Sequence, residues 1–139
     1  MRILVVEDDA VLAMVCALAL EDAGHTVLGP VHDTESFARI AGLAGTDLAL
    51  VDINLAGGDE GLQLARELQA QHIPTLFISG QLGAARENSH LALGLLRKPY
   101  ETEDLINSIA YLQSTRFSGT GLAAPKPATL ETFGSDENI

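Results

Sequence analysis

The sequence predicts an α/β fold: a parallel five-stranded sheet with helices wound over both faces. Three observations carry this. Aliphatic runs such as ILVV (3–6), DLALV (47–51), PTLFI (74–78) and LGLL (93–96) are continuous rather than alternating, which marks strands buried on both faces. Segments with helical periodicity separate them, and the links are short, so each crossover brings the next strand back parallel to the last. The composition is 47% hydrophobic with only 4% aromatic residues and no Trp, so the core must be aliphatic. Five strand–helix repeats over residues 1–116 give a flavodoxin-like (βα)5 doubly wound domain with strand order 2-1-3-4-5.

The elements follow in order. ILVV forms the first strand, and a helix runs from about Asp9 to Asp22, closed at Gly24. HTVLGPV (25–31) is the second strand, and Pro30 places it at or near a sheet edge. Asp33 or Thr34 caps a second helix that reaches about Ala44 and ends at Gly45. DLALV is the third strand, and the glycine-rich loop NLAGGDEG leads into the helix LQLARELQAQ (62–71). PTLFI and LGLL are the fourth and fifth strands. In ETEDLINSIAYLQ (101–113), Leu105, Ile106, Ile109 and Leu112 share one helical face. From Phe117 the periodicity stops, and residues 117–139 read as a flexible tail. GTGLAA (119–124) matches a dinucleotide fingerprint but follows no strand, so it is chance.

The formal net charge of −11 argues against a nucleic-acid partner. The one cysteine, Cys16, excludes an internal disulfide and reads as a small core hydrophobe. No signal peptide and no membrane-length apolar run is present, so a cytoplasmic protein without membrane contact is expected. His25, His32, His72 and His90 share no metal-ligand spacing and read as surface or loop-edge residues.

In an open parallel sheet the working site lies beyond the carboxyl ends of the strands. Glu7 and Asp8 stand after the first strand. Asp52, followed by Asn54, ends the third, Ser79 ends the fourth, and Lys98 follows the fifth. Taken singly, each has an ordinary structural explanation. Together they fall at one edge of one sheet. Three converging carboxylates require a counter-ion, and a hard divalent cation such as Mg²⁺ suits an all-oxygen ligand set. A carboxylate beside such a cation can attack a phosphoryl group, while a lysine and a hydroxyl neutralise the transferring oxygens.

ILVVED…VDINL…FISG…LLRKP, spanning residues 1–115, resembles the CheY-like receiver domain of bacterial two-component response regulators. The resemblance implies that Asp52 is the phosphoacceptor, that Asp8 ligates Mg²⁺ directly and that Glu7 acts on it through water. Asn54 would give its backbone carbonyl to the metal, Ser79 would be the switch hydroxyl, and Lys98 would pair with the phosphoryl group. It also implies a phosphohistidine donor on a histidine kinase or histidine phosphotransfer protein, a downstream protein target, and no enzymatic activity beyond the chain's own phosphorylation and dephosphorylation. Two positions depart from the common pattern. Leu95 replaces an aromatic three residues before the lysine, and Ala56 replaces a proline after the phosphoacceptor. With VLGPV, INLAGG and IPTLFISGQ, these departures resemble the stand-alone FAT-GUY group of receivers, which lacks the aromatic switch and an output domain.

Two rival functions differ in kind. A phosphorylation-independent scaffold would not need Glu7, Asp8, Asp52, Ser79 and Lys98 together. A haloacid-dehalogenase-type phosphohydrolase needs a second Asp where Asn54 stands. The first helix is unusual: Ala10 to Leu20 are all apolar. A helix lying on a sheet needs only a stripe, so the surplus is either exposed small residues (Ala13, Ala17, Ala19) or a docking patch beside the site.

Overall fold

A computed structural model of the chain describes residues 1–55, 58–117 and 124–134. Five parallel strands form the predicted sheet: β1 (Arg2–Val6), β2 (Thr26–Val31), β3 (Leu48–Asp52), β4 (Thr75–Ser79) and β5 (Gly94–Arg97). The order is β2-β1-β3-β4-β5, as the sequence indicates, with one further strand at the β5 edge. The helices are α1 (Ala10–Asp22), α2 (Thr34–Ala38), α3 (Glu60–Ala70), α4 (Leu82–Glu87) and α5 (Thr102–Leu112).

Successive strand residues face opposite sides of a sheet, and the aliphatic runs fill both. Ile3, Val5, Leu48, Leu50, Leu76, Ile78 and Leu96 pack under α1 and α5, where they meet Cys16, Leu20, Leu105, Ile109 and Leu112. Leu4, Val6, Ala49 and Val51 pack under α2 and α3 against Phe37, Leu64 and Leu68. Phe77 and Leu95 lie under α3 and α4 against Ala65 and Ala85.

α1 starts where Asp9 caps it, its side chain accepting from the amides of Val11 (2.9 Å) and Leu12 (3.0 Å). Gly24, at φ +95°, takes the left-handed turn after its end. β2 carries Pro30 at the edge of the sheet, where its missing N–H costs no ladder bond.

Two expectations are corrected. α2 does not reach Ala44. It ends at Ala38, and a short 3-10 turn covers Leu43–Gly45. Gly42, at φ +82°, leads into that turn, and its carbonyl accepts from the Arg2 guanidinium (3.2 Å). The segment after Phe117 is not wholly a flexible tail: Leu130–Thr132 form a sixth strand, β6, antiparallel to β5. Ala56 and Gly57 of the expected glycine-rich loop and most of the GTGLAA segment lie outside the described residues.

Candidate functional site

The tips of β1, β3, β4 and β5 converge at one end of the sheet. Glu7 and Asp52 are buried there (8% and 5% exposed), while Asp8 stands in solvent. One carboxylate oxygen from each of Glu7, Asp8 and Asp52 lies within 4.8 Å of the others. Lys98 Nζ reaches in from the end of β5, 3.1 Å from Asp52 Oδ2 and 3.4 Å from Glu7 Oε1. The Asn54 amide donates to Asp52 Oδ1 (2.9 Å). The phosphoacceptor candidate therefore has one oxygen fixed by its own loop and the other facing a cation. Ser79 is fully buried at the tip of β4, and its Oγ accepts from the Gln81 amide (2.8 Å). Its carbonyl accepts from the Lys98 amide (3.0 Å), which ties the β4 and β5 tips together.

The electrostatics leave the acids with less positive charge than negative. Burial pushes the Glu7 carboxyl up to about 7, and the charge of Asp52 adds to this, against the lowering by the Asp9 amide and Lys98. Burial also opposes the Lys98 ammonium, yet its bond to Asp52 and the charges of Asp52 and Glu7 outweigh burial and hold its pKa up. One lysine thus faces two buried carboxylates with a third close by. This oxygen-only donor set, short of positive charge, fits Mg²⁺, which binds through one or two carboxylates and keeps several waters. Glu7, Asp8 and Asp52 each offer one oxygen to such an ion.

Sequence reasoning missed two contributors and left a third open. His32, read as a loop-edge residue, donates from Nδ1 to the Glu7 carbonyl (2.9 Å) and so braces the acidic turn from the end of β2. Gly61 leaves no room for a side chain: a Cβ there would sit 2.2 Å from the Asp52 carbonyl oxygen and 2.6 Å from that of Ile53. A Gly in the first turn of α3, eight or nine residues past an acid at a strand tip, is a weak signal at best. The third is on α1. Val11, Leu12, Met14, Val15 and Leu18 are all exposed, at 48–68%, whereas Ala13 is buried. The large residues face solvent, which rules out the small-residue explanation. A groove of about 490 Å³ runs beside this patch, lined by Leu12, Val15, Lys98, Tyr100 and Leu105.

The family profile described as the response regulator receiver domain matches residues 3–110. The chain belongs to the response regulator receiver family. Among solved structures, the receiver domain of NtrX from Brucella abortus is 30% identical with TM-score 0.66, over 75% of this chain and 91% of that one. A response regulator protein from Burkholderia pseudomallei, solved with a phosphorylated aspartic acid, a calcium ion and citrate, is 26% identical with TM-score 0.66, over 89% of this chain and 75% of that one. The transcriptional regulatory protein PdtaR of Mycobacterium tuberculosis is 27% identical over 93% of this chain. This receiver spans 64% of PdtaR's length, and 30% of the length of PhyR from Methylorubrum extorquens, to which it is 33% identical over 56% of this chain. As a receiver of the two-component type, it carries its acids and lysine on a CheY-like sheet. No helix among the described residues is long and apolar enough to cross a membrane.

Proposed function

We propose that this receiver accepts a phosphoryl group on Asp52 from a phosphohistidine of a histidine kinase or histidine phosphotransfer protein, in a Mg²⁺-dependent reaction, and signals by protein contact. The observation that carries it is Asp52 Oδ2 facing Lys98 Nζ at 3.1 Å within a cluster of three carboxylates. Bound Mg²⁺ supplies charge neutralisation on the transferring oxygens.

The chain's own groups do the rest. The Asn54 amide holds Oδ1 of Asp52, which leaves Oδ2, facing Lys98, as the nucleophilic oxygen. As an O–P bond forms to the carboxylate, the P–N bond to the donor imidazole breaks, and the departing ring takes up a proton. Lys98 exchanges its contact with the carboxylate for one with a phosphoryl oxygen, keeping charge paired throughout. Ser79 offers an O–H to another phosphoryl oxygen. The reaction is the chain's own modification, with no separate substrate turned over.

The exposed apolar face of α1, which shares Leu12 and Val15 with the groove that Lys98 also lines, supports docking of the donor's helices there. The chain's net charge of −11 opposes a nucleic-acid backbone, so the contact proposed is with protein. The test is intact mass after incubation with acetyl phosphate and Mg²⁺. The expected result is a gain of one phosphoryl group that chelation of the metal prevents. No gain at saturating Mg²⁺ overturns the proposal.

A further inference from the structure

The strand that sequence reasoning missed has a built seat. β6 pairs antiparallel with β5 through Leu96–Leu130, Leu95–Glu131 and Gly94–Thr132. The pairing is extended by the Phe133 amide donating to the Leu93 carbonyl (2.8 Å) and the Arg97 amide donating to the Thr129 carbonyl (2.9 Å). Arg97 Nη2 also reaches the Ala128 carbonyl (2.7 Å). Leu130 is buried on the α1–α5 side of the sheet, and Phe133 on the α4 side beside Leu95 and Ala85. Gly94 is cut to fit: a Cβ there would lie 2.4 Å from the Glu131 carbonyl oxygen. From α4, Arg86 grips the Glu131 carboxylate with two nitrogens, Nη2 to Oε1 at 2.7 Å and Nε to Oε2 at 3.0 Å, the paired geometry that makes such bonds specific.

α4 is also tied to the site. Its first turn hangs from Ser79, whose Oγ accepts from the Gln81 amide, and the Gln81 carbonyl in turn accepts from the Ala85 amide (3.4 Å). One short helix therefore joins the hydroxyl at the β4 tip to both anchors of β6, the Arg86–Glu131 pair and the buried cluster that Ala85 shares with Phe133. Leu95, which stands where many receivers carry an aromatic, packs against the aromatic that β6 brings in.

We propose that β6 is an intramolecular plug on a strand-binding surface formed by β5 and α4, and that a partner's extended segment of the same chemistry pairs with β5 when the plug is unseated. That segment runs antiparallel and places an apolar residue, an acid and an aromatic in the positions of Leu130, Glu131 and Phe133. Resting on the Asp52 reading, the plug's release is coupled to phosphorylation: Ser79 turning toward the phosphoryl group shifts the first turn of α4 and with it Arg86 and Ala85.

The test uses the full chain and a fluorescent peptide of residues 124–134. Glu131→Arg with Phe133→Ala weakens the chain's own strand and leaves the receiving surface intact. This variant should bind the peptide at least about tenfold more tightly than the wild type does, the size expected when a competing intramolecular strand is removed. Adding Arg86→Glu should abolish that gain. Equal binding by wild type and variant, with both folded by circular dichroism, overturns the plug. The coupling is read by amide exchange at Phe133 before and after acetyl phosphate treatment, with phosphorylation scored by mass. Exchange at least about tenfold faster in the phosphorylated protein supports it, since exchange tracks local opening. Unchanged exchange in protein that has gained its phosphoryl group overturns the coupling. Absence of the mass gain refutes the Asp52 reading and the coupling with it, and the peptide result still decides the plug.

Discussion

Glu7 should make the metal-free receiver less stable as pH rises, and Glu7→Gln should remove that loss. In the fold, burial lifts this carboxyl from an ordinary 4.5 to about 7. A raised carboxyl contributes stability that is fully present below its unfolded pKa and is lost as pH climbs through its folded one. The window is therefore between about 4.5 and 7. At roughly 1.4 kcal/mol per pH unit, the ionised Glu7 costs about 3 kcal/mol at pH 8. Glutamine keeps the shape of the neutral acid without the charge. The variant should thus match the wild type near pH 4.5 and exceed it by about 2–3 kcal/mol at pH 8 without metal. With a denaturant slope of about 1–3 kcal/mol/M, the urea midpoint moves up by roughly 0.7–3 M. Saturating Mg²⁺ should shrink the difference, because an ion that binds only the folded wild type stabilises it by mass action. Urea titrations in chelator at pH 4.5 and 8 measure this. A variant no more stable than the wild type at pH 8 would refute the claim that the acidic cluster is short of positive charge.

Other outcomes follow from single features. Met14→Glu with Leu18→Lys on the exposed face of α1 should slow transfer from a phosphohistidine donor at least about tenfold, as loss of apolar docking contacts does. Labelling by acetyl phosphate, which needs no docking, should not change. Burial pushes the Cys16 thiol up to about 12, so at pH 8 its thiolate fraction, and its rate of alkylation by iodoacetamide, should fall about a thousandfold below a free cysteine's. Reaction at the ordinary rate would show that α1 does not hold Cys16 against the sheet. Gly61→Ala should cost about 1–3 kcal/mol, the usual range for overpacking, and weaken Mg²⁺ binding in calorimetry by shifting the Asp52 backbone. Unchanged affinity would separate that contact from the site.

The sheet was legible because its strands are uninterrupted aliphatic runs, and a strand buried on both faces has no other way to look. The site was legible because topology puts every carboxyl end at one edge, so Glu7, Asp8, Asp52, Ser79 and Lys98 converge once the strands are known. What stayed hidden depends on contacts far apart in sequence. β6 is three residues long with no periodicity of its own. It exists because Arg86, 45 positions upstream, holds Glu131, and because Leu130 and Phe133 fall into two separate cores. α2 stops at Ala38, before either nearby glycine, and the turn that follows is held at Gly42 by Arg2, 40 positions away. The role of His32 rests on a carbonyl 25 positions away. For α1 the composition left two alternatives, and burial of Ala13 with exposure of Leu18 chose between them.

The central claim is that the strand-tip acids and Lys98 make Asp52, and no other carboxylate, the group that takes the phosphoryl. Borohydride reduces an aspartyl phosphate to homoserine, so trapping after acetyl phosphate and Mg²⁺ treatment, followed by peptide sequencing in the mass spectrometer, locates it directly. The account predicts homoserine at position 52 alone, and none when Mg²⁺ is chelated. Homoserine at position 8 instead, or a trapped product that persists in Asp52→Asn, would contradict it.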